Sequence, residues 1–254
     1  MKKQKTVSIK AKLLGVIIPV VIAIVVVLVV AAYQISAGTI KKYSQNLLQS
    51  SVENQASQIE AWLNENLASF QMAKTIIEDL KPSDEELKTI LDGYYGYNSN
   101  YPEGLYVADS TGQLITASES TKKESDVTNS TWYKEGLTRV NMAVGSAYQN
   151  ADGVNVISAS GILNDGSDKV RVISADMTLD RIAIIVNSFI EMNDAEAFLV
   201  DKTSGVILAN RDSSLISQTL GAEGQSHFYQ LTAEKAAEKD YNFEFVEDAE
   251  LLAK

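Results

Sequence analysis

The side chains that could do chemistry in this sequence are carboxylates and phenols. Asp and Glu total 33 and Tyr 11, against a single histidine, His227, and no cysteine. Without thiols there is no disulfide framework, no thiolate nucleophile and no Cys-based metal site, and one imidazole makes no zinc cluster. Gly-x-Gly-x-x-Gly, P-loop and Gly-x-Ser-x-Gly patterns are also absent, so neither a phosphate-cradling loop nor a nucleophile elbow is indicated. What remains is recognition, or hydrolysis by acids alone. Glycoside cleavage would need two carboxylates about 5–10 Å apart, and the sequence singles out no such pair. Asp126, Asp152 and Asp165 read as solvated loop residues, because no Asp-x-Asp-x-Asp-Gly loop surrounds them. Tyr94, Tyr95, Tyr97 and Tyr101 crowd a stretch containing Gly93 and Gly96; they either line a ligand mouth or cover an edge of the core. His227, beside Phe228 and Tyr229, reads as an ordinary, partly buried side chain. No metal and no cofactor is expected.

Charge locates these groups. The formal net charge over 254 residues is −11, and it is unevenly spread. Residues 1–52 carry seven lysines and no acid, five of them within the first 12 positions, while residues 53–254 carry 15 bases against 33 acids. An acidic body of this kind repels phosphate backbones, which excludes nucleic acid as a partner. Residues 13–33 contain no charged side chain; at about 1.5 Å per residue they cross a hydrocarbon core of roughly 30 Å. The run also exceeds the apolar region of a cleaved signal, usually about 7–15 residues. A transmembrane helix over 13–35 is expected, with the lysine-rich residues 1–12 held in the cytoplasm by the positive-inside bias and the acidic body outside.

The positioning elements follow from periodicity. Between residues 39 and 80 apolar side chains recur three, four or seven apart with no Gly or Pro, which predicts a long extracytoplasmic helix over 36–81. Its apolar stripe faces either its own core or a twin helix. Lys81-Pro82 stops it, and Ser83 with Glu86 forms a capping box that opens a short helix. The period then changes: 104–109 and 113–118 read as strands joined by a tight turn. A helix is expected over 131–142, strands over 154–162 and 169–176, and an apolar helix over 179–190. Residues 197–210 repeat the strand, turn and strand, with Asp109 answered by Asp201 and Gly112 by Gly205, which suggests tandem modules. The fold class is therefore α/β (α+β): two tandem antiparallel-sheet modules, 82–192 and 193–254, the second incomplete.

One span, a long helix and two PAS-like modules whose hairpins carry Asp-x-x-Gly turns together resemble the double Cache (dCache) sensor domains of bacterial chemoreceptors and membrane sensor kinases. In the amino-acid and amine sensors of that family, ligand contacts come from a Trp-Tyr pair at a helix start, a later Tyr, and an Asp at a strand end. By that resemblance the ligand-binding residues are Trp132, Tyr133, Tyr148 and Asp176. Tyr148 lies 16 residues and Asp176 lies 44 residues after Trp132. The amino-acid binders also place an Arg two residues before the Trp, where this chain has Ser130; a hydroxyl cannot replace a guanidinium fork. An amine without a carboxylate then fits better. Such a cation needs one anion and aromatic faces to replace its water, and Asp176 is expected to be that anion, unpartnered within the protein. The competing structural reading makes Trp132 and Tyr133 core anchors and Asp176 the cap of the next helix.

The expected function is that of the ligand-sensing region of a transmembrane chemoreceptor. It would be non-enzymatic, in the cell membrane, homodimeric, and bound in its distal module by a small amine or amino acid. A histidine kinase or cyclic-dinucleotide enzyme could carry the same front end. A membrane-anchored extracellular hydrolase and a purely structural anchor are the rivals from other classes.

Overall fold

The computed structural model describes residues 9–188, 197–202 and 204–237. Residues 1–8 of the expected cytoplasmic stretch 1–12, residues 189–190 of the expected 179–190 helix, and residues 193–196, 203 and 238–254 of the expected second module lie outside the described residues. Two compact units divide the chain, residues 1–53 and 54–254. Helix α1 (Ile9–Leu80) is 72 residues long. In the first unit it carries the uncharged 13–33 run, whose large apolar side chains are exposed; this is the one helix among the described residues long and apolar enough to cross a membrane. Pro19 lies inside it near its start.

In the second unit the apolar stripe of α1 is buried. Ile59, Trp62, Phe70, Ala73 and Ile77 enter the main core, so this face of the helix packs on its own domain. The helix ends where Lys81-Pro82 predicts: Lys81 takes a left-handed conformation (φ 47°) and its N–H closes on the Ile77 carbonyl at 3.0 Å, a terminating arrangement usually left to glycine. Helix α2 (Asp84–Asp92) opens on the Ser83–Glu86 capping box and buries Leu87 and Leu91.

Five strands follow: β1 (Leu105–Asp109), β2 (Leu114–Ile115), β3 (Ala143–Gln149), β4 (Asn155–Leu163) and β5 (Arg171–Thr178). They form one antiparallel sheet in the order β2-β1-β5-β4-β3. Alternation gives the sheet two unlike faces. Leu105 and Val107 of β1, Ile157 and Ala159 of β4, and Ile173, Ala175 and Met177 of β5 join the core against α1 and α2. The intervening Tyr106, Ala108 and Val172 form a second cluster with Val127, Trp132 and Tyr133 on the opposite face.

Several expectations are corrected here: the strand over 113–118 is only the two-residue β2, Asp165, expected to be solvated, is buried and holds the Arg171 guanidinium at 2.8 Å, and His227, expected to be partly buried, is exposed. The helix over 131–142 is only α3 (Thr131–Gly136). Gly136 lies so close to Val172 and Ser160 that a methyl group would collide with them, and beyond it the Arg139 guanidinium donates to the Ala143 carbonyl at 3.0 Å. Strand β3, which results, was not anticipated. Gly145 and Ser146 fall at a register shift between Val144 and Ala147, and this irregularity erases the alternation that would mark a strand. The tyrosine cluster mainly covers the core: Tyr101 is buried with its ring 4.7 Å from that of Phe70, and Tyr97 is exposed.

Helix α4 (Asp180–Asn187) follows β5. The internal repeat is real in form: β6 (Leu199–Val200) and β7 (Ile207–Ala209) pair antiparallel, and Gly112 and Gly205 both sit at positive φ, 84° and 71°. Asp109 and Asp201 serve their turns, accepting from the Thr111 N–H at 2.8 Å and the Ser204 N–H at 2.7 Å. Helix α5 (His227–Ala237) completes the described residues.

Candidate functional site

The second face of the sheet holds a polar line within an apolar surface. Ser158 and Ser160 of β4 and Ser174 and Asp176 of β5 are all buried, at alternate positions on adjacent strands. Register places Ser158 opposite Asp176 and Tyr106 opposite Ser174. Tyr148 comes from the edge strand β3. Three hydroxyls converge on Asp176 Oδ1: Ser158 at 2.5 Å, Tyr106 at 2.5 Å and Tyr148 at 3.1 Å. Burial raises the pKa of both phenols, and the Asp176 charge raises them further, so both stay protonated donors at neutral pH.

Asp176 is not the unpartnered anion that the sequence suggested. Its other oxygen, Oδ2, meets the ammonium of Lys122 at 2.6 Å, with both side chains 6% exposed. The same ammonium lies 4.2 Å from the centre of the Tyr106 ring, a cation–π distance. Nor does Asp176 end its strand or cap a helix. Strand β5 continues to Thr178, and the N-cap of α4 is Leu179, with no side-chain cap bond. The carboxylate is aimed away from the helix start, across the sheet to β4.

Trp132 is fully buried and meets Tyr106 edge-on with centroids 4.9 Å apart; its indole N–H donates to Glu124 at 2.9 Å. Burial raises the Glu124 pKa, more than the Trp132 N–H and the Lys122 charge lower it. Tyr133 stacks edge-on against Trp132 at 5.7 Å, and the charge that acts on its phenol is Asp109. The structure thus brings Trp132, Tyr148 and Asp176 around one centre, while Tyr133 joins it through its edge-on contact with the indole. Beside this centre opens a cavity of about 180 Å³, whose walls include Lys122, Glu124, Ser130, Thr131 and Tyr148.

Four members of the cluster escaped sequence reading. Tyr106 and Ser158 had a usable signal: strict alternation along β1, β4 and β5 puts Tyr106, Ser158 and Asp176 on one face. Lys122 and Glu124 had none, because residues 116–126 contain no helix or strand and follow no period.

An antiparallel sheet backed by one long helix, with a polar pocket on its far face, is the layout of a PAS-like binding domain. Residues 32–246 match the Cache domain family in its dCache_1 form, and the chain belongs to that family. Cache domains are sensory, ligand-binding domains. No curated protein matches the chain. Among solved structures it is similar to the ligand-binding domain of the Pseudomonas aeruginosa PAO1 amino acid chemoreceptor PctC in complex with GABA. Identity there is 22% and the TM-score 0.59, over 70% of this chain and 81% of that one. It is also similar to the ligand-binding domain of the Pseudomonas fluorescens chemoreceptor CtaA in complex with L-serine (18%, TM-score 0.58, 71% and 78%). The ligand-binding domain of Mlp24 with asparagine gives 17% and 0.58, over 68% and 74%. At these identities the likeness is one of fold.

Proposed function

We propose that the chain is the extracytoplasmic sensing region of a transmembrane chemoreceptor, and that its distal module binds a small amine or amino acid through Asp176, Tyr148, Trp132 and Tyr106. The observation that carries this reading is the position of the Lys122 ammonium, against Asp176 and over the Tyr106 ring. A primary ammonium fits this site because the protein puts one there. The structural relatives solved with GABA, L-serine and asparagine support a ligand of the same size. Tyr133 acts by holding Trp132 rather than by touching ligand. One charged contact and a few aromatic faces correspond to micromolar affinity, about −8 kcal/mol.

In this reading α1 crosses the membrane with residues 1–12 in the cytoplasm, and the ligand's differential affinity for two arrangements of the domain is the energy available for signalling. A homodimer completes it: Met72, Ile76 and Leu80, four residues apart on α1, are all exposed. The test is a thermal-shift screen of the full chain in detergent against amino acids, polyamines and quaternary amines. A rise of several degrees with at least one compound is expected; a panel without a hit contradicts the reading.

A further inference from the structure

Lys122 occupies a place that the family resemblance does not assign. It sits on the irregular segment between β2 and α3, where its backbone N–H bonds to the Ser120 hydroxyl at 3.2 Å. Lys122 lines the cavity, whereas Asp176 is not among the lining residues, and the Lys122 ammonium holds that carboxylate at 2.6 Å. Ser130, at the position of the expected arginine, spends its hydroxyl on the Val127 carbonyl at 2.6 Å. Among the described residues lining the cavity, Lys122 is the one cation.

We propose that Lys122 sets the specificity of this pocket: a ligand ammonium displaces the lysine from Asp176, and the lysine turns to the ligand's carboxylate, so that zwitterionic amino acids are taken in preference to bare amines. This rests on Asp176 being the ligand anchor. The argument is one of charge pairing. An amine that takes Asp176 leaves the lysine ammonium without its anion in a largely dry site, where an unpaired charge is strongly unfavourable. An amino acid brings a carboxylate with it, and the displaced lysine regains a charge-assisted bond. A lysine suits such an exchange because its ammonium is a compact charge on a flexible four-carbon stem. Glu124, the other charged side chain in the wall, is already engaged by the Trp132 indole and is a poorer anchor for a second cation. The absence of an arginine two residues before Trp132 then does not exclude amino acids, because the carboxylate partner comes from the preceding loop.

The test is calorimetric titration of the full chain in detergent with matched pairs: L-alanine and ethylamine, L-leucine and 3-methylbutylamine, L-phenylalanine and phenethylamine. At least one amino acid should bind roughly tenfold or more tightly than its amine, and Lys122→Met should bring that ratio close to one. Amines that match their amino acids in every pair that binds, or a ratio unchanged by Lys122→Met, overturn the role of Lys122 while leaving Asp176 as anchor. Binding by no member of any pair overturns both. Should Lys122→Met fail to fold, Lys122→Gln, which keeps a donor for Asp176, takes its place, with the same outcomes.

Discussion

Asp176 and Lys122 are a buried pair, and the pairing has consequences for stability as well as for binding. Removing one partner leaves the other charged and dry, which typically costs about 3–5 kcal/mol, whereas removing both is far milder. Asp176→Asn should therefore lose about 3 kcal/mol or more in urea denaturation, and Asp176→Asn combined with Lys122→Met should recover a substantial part of it. Purely additive losses would mean that the two side chains do not interact. Asp109 gives a second, pH-dependent contribution. Burial pushes its pKa up, but the Lys169 ammonium, the Thr111 hydroxyl and the Thr111 and Gln113 N–H groups outweigh this and bring it from 3.8 to about 2. A carboxylate whose folded pKa is depressed stabilises above its unfolded value and loses that contribution as the pH falls through its folded one. Thermal midpoints should thus drop between about pH 4 and pH 2, and Asp109→Asn should flatten that part of the profile; an unchanged slope would remove Asp109 from the account.

At the scale of elements, the sheet separates two jobs by alternation: one face packs on α1 and α2, the other presents the polar line. Phe70 is fully buried against Tyr101 on the first face, and Phe70→Ala should cost about 3–5 kcal/mol. Ser83→Ala removes one half of a capping box and should cost about 1 kcal/mol. Both are read from denaturation midpoints, and equal losses would contradict the packing described. Elements with a strict period or a fixed chemical cap were legible in the sequence. The end of α1 at Lys81-Pro82, the Ser83–Glu86 box and the hairpin repeat about Asp109 and Asp201 follow from local rules that tertiary contacts do not override. What was not legible depends on contacts distant in sequence. Strand β3 hides behind its register shift at Gly145-Ser146, and α3 ends at Gly136, which packs closely on Val172. The proposed site divides the same way: the spacing within a family pattern points to Trp132, Tyr148 and Asp176, which the structure brings together. Lys122, 54 residues from Asp176, reaches it from a loop that no periodicity describes.

For the whole molecule, the lack of any cysteine makes topology and assembly directly measurable. On intact cells a membrane-impermeant thiol reagent should label Tyr97→Cys, an exposed loop position, and should not label Lys5→Cys until the membrane is broken; the reverse pattern would invert the proposed orientation. Ile76→Cys should cross-link two copies under mild oxidation if α1 forms the dimer seam. The account as a whole turns on where a ligand's ammonium goes. The most direct measurement is a crystal structure of the protein in complex with the tightest-binding compound of the screen. The ligand nitrogen should lie within hydrogen-bonding distance of the Asp176 carboxylate, beside Tyr106 and Tyr148. A ligand seated elsewhere, with Asp176 still held by Lys122, would contradict the account.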